Sequence, residues 1–336
     1  MPKIKIVFFE VTPKEKKHLN KKFNKGFDLF FYPEVINEDN AKLVAGADVI
    51  SPFIYSQINS QVLSKAKNLK LIATRSTGFN HIDIKKAKRM GISVCNVPYY
   101  GENTVAEHTF ALILALSRNL HKAYIRTTRN DFTLEGLQGF DLRDKTLGVI
   151  GAGSIGVHVI KIAKGFGMNV LAYDPKPNHI LTELMDFKYV PLLKLLEASD
   201  IITLHAPYSQ NTHHMINMSN IKSVKKGALF INTARSGIIQ PEALYYAIEN
   251  GIFGGAGLDV FEGEELIKEE NQMLTKNVSV KHLEALLKRN ILLKKENVII
   301  TPHMAFDSIE AIERIMDTTA ENIINFFEGK DYHKVL

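Results

Sequence analysis

Apolar residues along the chain fall in short unbroken runs, not in alternation with polar ones. Candidate strands are KIKIVFF (3–9), FDLFFY (27–32), ADVIS (47–51), LKLIAT (69–74) and ISVCNV (92–97), then TLGVI (146–150), NVLAY (169–173), DIITL (200–204), ALFIN (228–232), GAGLD (255–259) and NVIIT (297–301). Runs that are apolar at consecutive positions predict strands covered on both faces, the pattern of a parallel sheet flanked by helices. Segments of helical period separate the runs, and β/α alternation predicts a doubly wound α/β fold.

The chain divides into two such units. Thr104 and Glu107 read as a capping box, T-V-A-E, opening a helix that is apolar nearly all round, HTFALILALSRNL. A helix of that kind is expected between domains or against a second subunit. Residues 1–100 then form one α/β unit and 101–301 a second. The closing stretch, FDSIEAIERIMDTTAENIINFFEG, is amphipathic. Its expected place is back on the first unit, giving a domain of 1–100 plus 302–336. If the chain recrosses at Pro302, then Pro302 and His303 fall in the cleft between domains.

The most specific local pattern is TLGVIGAGSIGVHVIKIAKGFGMNVLAYD. It runs strand, Gly151-Ala-Gly153-Ser154-Ile155-Gly156, helix, strand, and ends in Asp174 about 18 residues beyond the third glycine. Gly151 permits the tight turn, Gly153 lets a pyrophosphate approach the backbone, and Gly156 seats the helix close to the sheet. The helix N-terminus offers N–H groups and a positive dipole end to phosphates. Asp174 suits the ribose hydroxyls and opposes a 2′-phosphate, so NAD is the expected cofactor; Lys176 close by works slightly the other way.

Three further residues sit at or just past the carboxyl ends of predicted strands, where open α/β sheets bind ligands. Arg235 follows ALFINTA, Glu264 follows GLDVFEG, and His303 follows NVIITP. Singly, each has a plain structural account: a loop salt bridge, a solvated acid, a packed cleft wall. Together they fit hydride transfer to a 2-oxo acid. Arginine supplies a planar bidentate donor for the carboxylate. Histidine, which titrates nearest neutral pH, supplies the proton for the forming alkoxide. A carboxylate on the other ring nitrogen would orient the imidazole and favour its charged form.

FINTARSG, GLDVFEGEE and TPHMAF, with the dinucleotide motif, resemble the D-isomer-specific 2-hydroxyacid dehydrogenases over essentially the whole chain. TRSTGFNHID (74–83), VPYYGENTVAEHT (97–109), LHAPYSQNTHHMIN (204–217) and the long stretch 265–296 place the resemblance nearest the D-lactate and D-hydroxyisocaproate dehydrogenase branch. It implies a flavodoxin-like substrate domain and a Rossmann NAD-binding domain, with Arg235, Glu264 and His303 as the catalytic set. It places the backbone of Thr77-Gly78 at the substrate carboxylate, Tyr100 beside the substrate, and Phe53 and Phe306 along its side chain. It assigns Thr233, Ala234, His205, Ala206 and Pro207 to the cofactor's surroundings and Asp259 to the nicotinamide carboxamide. The expected reaction is reversible hydride transfer between NADH and pyruvate or a similar 2-oxo acid; alternatives are a larger D-2-hydroxy acid or an NAD-sensing regulator of the same fold. One departure is PYYGEN, where that branch commonly has PAYSPN; the turn carrying Tyr100 therefore differs.

Composition narrows the remaining classes. The 336 residues are 45% hydrophobic and 23% charged, ordinary for a globular protein. No run of about 18 uncharged apolar residues occurs, which predicts no membrane span. The opening MPKIKIVFFEVTPKEKK has the wrong order for a signal peptide, and the single cysteine, Cys95, lies in an apolar strand, so a cytoplasmic enzyme with an inert thiol is expected. The net charge of +6 comes from lysines interleaved with acids, with no arginine-rich block, and predicts no nucleic-acid partner. Adjacent His213 and His214 should face different ways and lack further ligands, so no metal is expected. His108 is read as a packing residue and Arg75 as the partner in a salt bridge that positions the substrate loop. A homodimer through the cofactor domain is expected from the apolar helix.

Overall fold

The computed structural model describes residues 3–261 and 290–335; Glu264 lies outside the described residues. The chain forms two compact units, one of the segments up to Tyr100 and from Asp307, the other Gly101–Phe306. The return to the first unit thus falls after Phe306 and not at Pro302, which corrects the expected boundary. The cause is local: main-chain amides of Met304 and Ala305 are bonded to Asp259 of the second unit, and this keeps the TPHMAF segment there.

In the first unit, strands β1 (Ile4–Phe8), β2 (Phe27–Phe31), β3 (Val49–Ser51), β4 (Leu71–Ala73) and β5 (Ser93–Cys95) form one parallel sheet in the order β2-β1-β3-β4-β5. This is the flavodoxin-like winding, whose order reverses between β1 and β3. β3 and β4 are buried at every position, as the consecutive apolar runs require. Edge strand β2 is only half covered. The helix Ile309–Glu328 packs on this unit, capped by Ser308 at its start and by Gly329, at φ 70°, at its end. It buries Ile315, Met316 and Ile323, and its Asn322 donates to the carbonyl of Asn96 (2.9 Å). Cys95 is buried, and burial pushes its thiol pKa up to about 12.

In the second unit, β6 (Thr146–Ile150), β7 (Asn169–Tyr173), β8 (Lys188–Tyr189), β9 (Ile201–Leu204), β10 (Ala228–Asn232), β11 (Phe253–Leu258) and β12 (Val298–Ile300) form a parallel sheet, ordered β12-β11-β10-β9-β6-β7-β8. Its order reverses between β6 and β9, the doubly wound Rossmann arrangement. The sequence pattern missed β8, a two-residue strand whose Lys188 is exposed.

The long apolar helix spans Glu102–Ser117. Its N-cap is Gly101, so Thr104 lies inside the first turn and the T-V-A-E pattern is not the cap. The apolar character is satisfied largely within the unit: Leu112 and Leu116 pack on β11 at its glycines. A Cβ on Gly257 would lie 3.0 Å from Leu112 Cβ, and one on Gly255 3.3 Å from a Leu116 methyl. The GGAG run in β11 is therefore a seat for this helix.

Candidate active site

The carboxyl ends of β6 and β9 meet at the switch point of the second sheet. Gly151 leaves β6 with φ 95°, a conformation that disfavours any side chain. A Cβ there would also come within 2.5 Å of the Ala206 nitrogen, so the glycine loop and the loop after β9 are in direct backbone contact. Gly156 is as tight, with a Cβ falling onto the Gly151 carbonyl. Gly153 differs: a Cβ there would meet no protein atom within 4 Å. That is the position where a pyrophosphate needs clearance. The helix Ser154–Gly165 begins directly after it, so the amides of Ser154, Ile155 and Gly156 open the helix without an intrahelical acceptor. These features fit a dinucleotide.

Asp174, at the tip of β7, grips two main-chain amides. One carboxylate oxygen accepts from Ala152 N (3.0 Å) and the other from Lys176 N (2.9 Å). The acid thus ties the glycine loop to the neighbouring strand end. After β9, His205 donates its backbone N–H to Ile150 O (2.7 Å) and places its Nε2 2.9 Å from the Thr203 hydroxyl. Burial pulls its imidazole pKa down to about 3, so this ring is neutral near pH 7. Ala206 is buried and Pro207 exposed beside it.

Three neighbouring strand ends, β10, β11 and β12, carry the candidate reacting groups. Past β10, the buried Asn232 side chain accepts from Ala234 N (3.0 Å) and donates to Arg235 O (3.0 Å), which fixes the turn bearing Arg235. Thr233 joins its hydroxyl to that of Thr109 on the long helix (3.0 Å). Past β11, Asp259 N donates to Asn232 O (2.9 Å), and past β12, His303 N donates to Asp259 O (3.0 Å). One continuous main-chain path therefore links the Arg235 and His303 turns.

The side chain of Asp259 is fully buried. One oxygen accepts from the Thr301 hydroxyl (2.5 Å) and Met304 N (2.9 Å), the other from Ala305 N (2.8 Å). Its oxygens serve the loop around His303, out of contact with solvent. His303 itself has φ 55°, the left-handed region. That strained turn lies between Pro302 and two amides clamped by a carboxylate. The ring lies edge-on to Phe306, centroids 6.4 Å apart. His108 belongs to this cluster too, with Nε2 3.2 Å from the Thr301 hydroxyl and 3.6 Å from Asp259.

In the first unit, the loop after β4 is held from within. Thr77 donates its hydroxyl to Val97 O (2.8 Å) and accepts from Asn96 Nδ2 at its carbonyl (2.8 Å), while Ser76 donates to Gly78 O (2.6 Å). Arg314 donates to the carbonyl of Tyr100 (2.7 Å). Among the described residues Arg75 makes no salt bridge; its buried guanidinium donates to the carbonyls of Ser51, Phe9 and Glu10, and its Cζ lies 5.6 Å from the Phe53 ring centre. His213 and His214 do not face apart: their rings stack 3.7 Å apart, because His214 also takes a left-handed backbone. Among the described residues no group of three His, Cys, Asp or Glu is placed to hold a metal, and no helix is long and apolar enough to cross a membrane.

Fold and glycine edge define a dinucleotide-binding protein of the doubly wound class. Residues 110–305 match the model for the NAD-binding domain of D-isomer-specific 2-hydroxyacid dehydrogenases. The chain is 35% identical to D-lactate dehydrogenase of Escherichia coli, over 97% of this chain and 98% of that protein. It is 37% identical to an aromatic 2-oxoacid reductase of Clostridium sporogenes, over 96% of each. A solved D-lactate dehydrogenase of Aquifex aeolicus, in complex with NAD and lactic acid, is 38% identical and superposes with a TM-score of 0.85 over 96% of each chain. The chain belongs to the D-isomer-specific 2-hydroxyacid dehydrogenase family. It is an NAD-dependent oxidoreductase acting on the CH–OH group of D-2-hydroxy acids.

Proposed function

We propose that this enzyme reduces pyruvate, or a slightly larger 2-oxo acid, to the D-2-hydroxy acid, with His303 as general acid. Bound NADH supplies the hydride that adds to the carbonyl carbon. Arg235 pairs with the substrate carboxylate, and its guanidinium offers two parallel donors in one plane. The protonated imidazole of His303 donates to the carbonyl oxygen and gives up its proton as the alkoxide forms; in the oxidising direction the neutral ring takes the hydroxyl proton. Glu264, outside the described residues, is assigned to the other ring nitrogen of His303. Thr77 and Gly78 amides are assigned to the carboxylate, and Tyr100, Phe53 and Phe306 to the substrate's surroundings.

The observation that carries this reading is the clamped, left-handed turn that fixes His303 on the same sheet edge as Arg235. The size of the acid is the second question. The Aquifex structure contains lactic acid, and the Clostridium relative is named for aromatic 2-oxo acids. NADH oxidation with a panel of 2-oxo acids of rising size, repeated with NADPH, tests the reading. Turnover that is highest with pyruvate and NADH supports it; turnover with no member refutes it.

We also propose a cytoplasmic homodimer. Leu120, Tyr124, Ile125, Phe132 and Leu134, just beyond the long helix, are all exposed in the single chain, a concentration of large apolar side chains that a second subunit would cover. Sedimentation as a monomer would refute this.

A further inference from the structure

At the switch point of the first sheet, the carboxylate of Glu10 closes the crevice between the ends of β1 and β3. It accepts from three consecutive-loop amides and one hydroxyl: Phe53 N (3.0 Å), Tyr55 N (3.0 Å), Ser56 N (3.1 Å) and Ser56 Oγ (2.5 Å). Glu10 reaches them from a left-handed backbone, φ 55°, a conformation costly for a residue with a Cβ. A second group secures the same place. Arg75 donates to Phe9 O (2.5 Å), Glu10 O (3.0 Å) and Ser51 O (2.9 Å), while its own N–H bonds Pro52 O (3.0 Å). Its guanidinium faces the Phe53 ring. The Ser56 hydroxyl also accepts from Ile36 N (3.2 Å), which anchors the far end of the loop.

We infer that Glu10 is a positioning residue that sets which 2-oxo acid side chains the enzyme accepts, by fixing loop 52–56 and with it Phe53. This rests on the reading that Phe53 borders the substrate side chain. Several features separate it from ordinary loop structure. Four hydrogen bonds converge on one carboxylate, and charge-assisted bonds of this kind are about twice as strong as neutral ones. The backbone at Glu10 is held strained to deliver that carboxylate. The loop it grips carries an aromatic ring at a switch point, where sheets of this class bind ligands. Arg75 also stands two residues before Thr77 in the chain, so the residue that braces the loop assigned to the substrate side chain opens the loop assigned to its carboxylate. A ring held this firmly defines a wall; loosened, it yields space to a bulkier acid.

The test compares pyruvate and phenylpyruvate as substrates for wild type, Glu10→Gln and Ser56→Ala. Glu10→Gln replaces one accepting oxygen by a donor that opposes the loop amides. Ser56→Ala removes the hydroxyl's bonds to Glu10 and to Ile36 N but leaves the three loop amides on the carboxylate, and serves should the first variant fail to fold. The expected result is that the kcat/KM ratio of phenylpyruvate to pyruvate rises about tenfold in Glu10→Gln, the scale on which a methylene-sized space discriminates, and about threefold in Ser56→Ala. The change should sit mainly in KM for the two acids, with the Kd for NADH unaltered. A purely structural role would lower Tm and scale both acids equally. An unchanged ratio in the folded variants, with wild type active, overturns the inference alone. Wild type inactive with both acids removes the functional reading and this inference with it.

Discussion

The buried carboxylate of Asp259 accepts from the main-chain amides of Met304, at 2.9 Å, and Ala305, at 2.8 Å, immediately beyond His303. The residue that acts on the substrate in our reading is thus held by an acid from the neighbouring strand end. Asp259→Asn keeps the volume but turns a donor toward amides that need an acceptor. A buried group left unpaired costs about 1–3 kcal/mol. The variant should therefore lose about 2 kcal/mol of stability. It should also lose at least about tenfold in kcat, because misplacing a reacting group by an ångström is costly, while NADH still binds. Thermal denaturation and steady-state kinetics check this; wild-type values in both would show that the clamp is idle.

The three glycines of the dinucleotide loop should separate by function. Gly151→Ala forces a side chain onto the Ala206 backbone in a left-handed conformation and should lower Tm. Gly153→Ala meets no protein atom within 4 Å and should leave Tm unchanged. If Gly153 is where the pyrophosphate approaches, its variant should still weaken NADH binding by tenfold or more, about 1.4 kcal/mol. Fluorescence titration of NADH with both variants decides the matter. Equal NADH affinity in Gly153→Ala and wild type would remove the phosphate from that position.

Stability should fall on mild acidification. His81, in the first unit, has its pKa pulled from 6.5 down to about 4 by burial, and its Nε2 lies 3.1 Å from the Thr74 hydroxyl. A histidine with a depressed folded pKa binds more protons when unfolded, so stability rises with pH between the two values. Above pH 6.5 there is no penalty; between 6.5 and 4 it accumulates to roughly 3 kcal/mol, and below 4 it is constant. His205, with its pKa near 3, adds a loss of the same sign in the second unit. Denaturant melts of His81→Gln against wild type across this range should show a flatter slope in the variant. Parallel slopes would contradict the assignment.

The two sheets were legible because both-face burial writes itself into consecutive apolar residues, as in ALFIN and TLGVI, whose predicted and observed bounds agree. β8 was not, because two residues with an exposed lysine carry no period. The start of the long helix was misplaced because a capping box is a local pattern that also occurs one turn inside a helix; Thr104 sits within that first turn. The glycine loop and Asp174 could be read from spacing, since the βαβ unit is contiguous in sequence. The supports of the site could not. Glu10 grips residues 43 to 46 positions away, and Asp259 those 45 and 46 away. Asn232 was passed over, and His108 read as a packing residue, for a related reason: a side chain bonded to backbone amides or to a hydroxyl leaves no periodic trace, and the fold must be known before its partners can be named.

The central claim is that His303 moves the proton while other residues bind the cofactor. The most direct measurement is NADH oxidation by His303→Ala with saturating pyruvate, alongside NADH affinity. General acid–base groups contribute about 10²–10⁴-fold, so kcat should fall at least about a hundredfold with the Kd for NADH unchanged. Turnover at the wild-type rate would contradict the account.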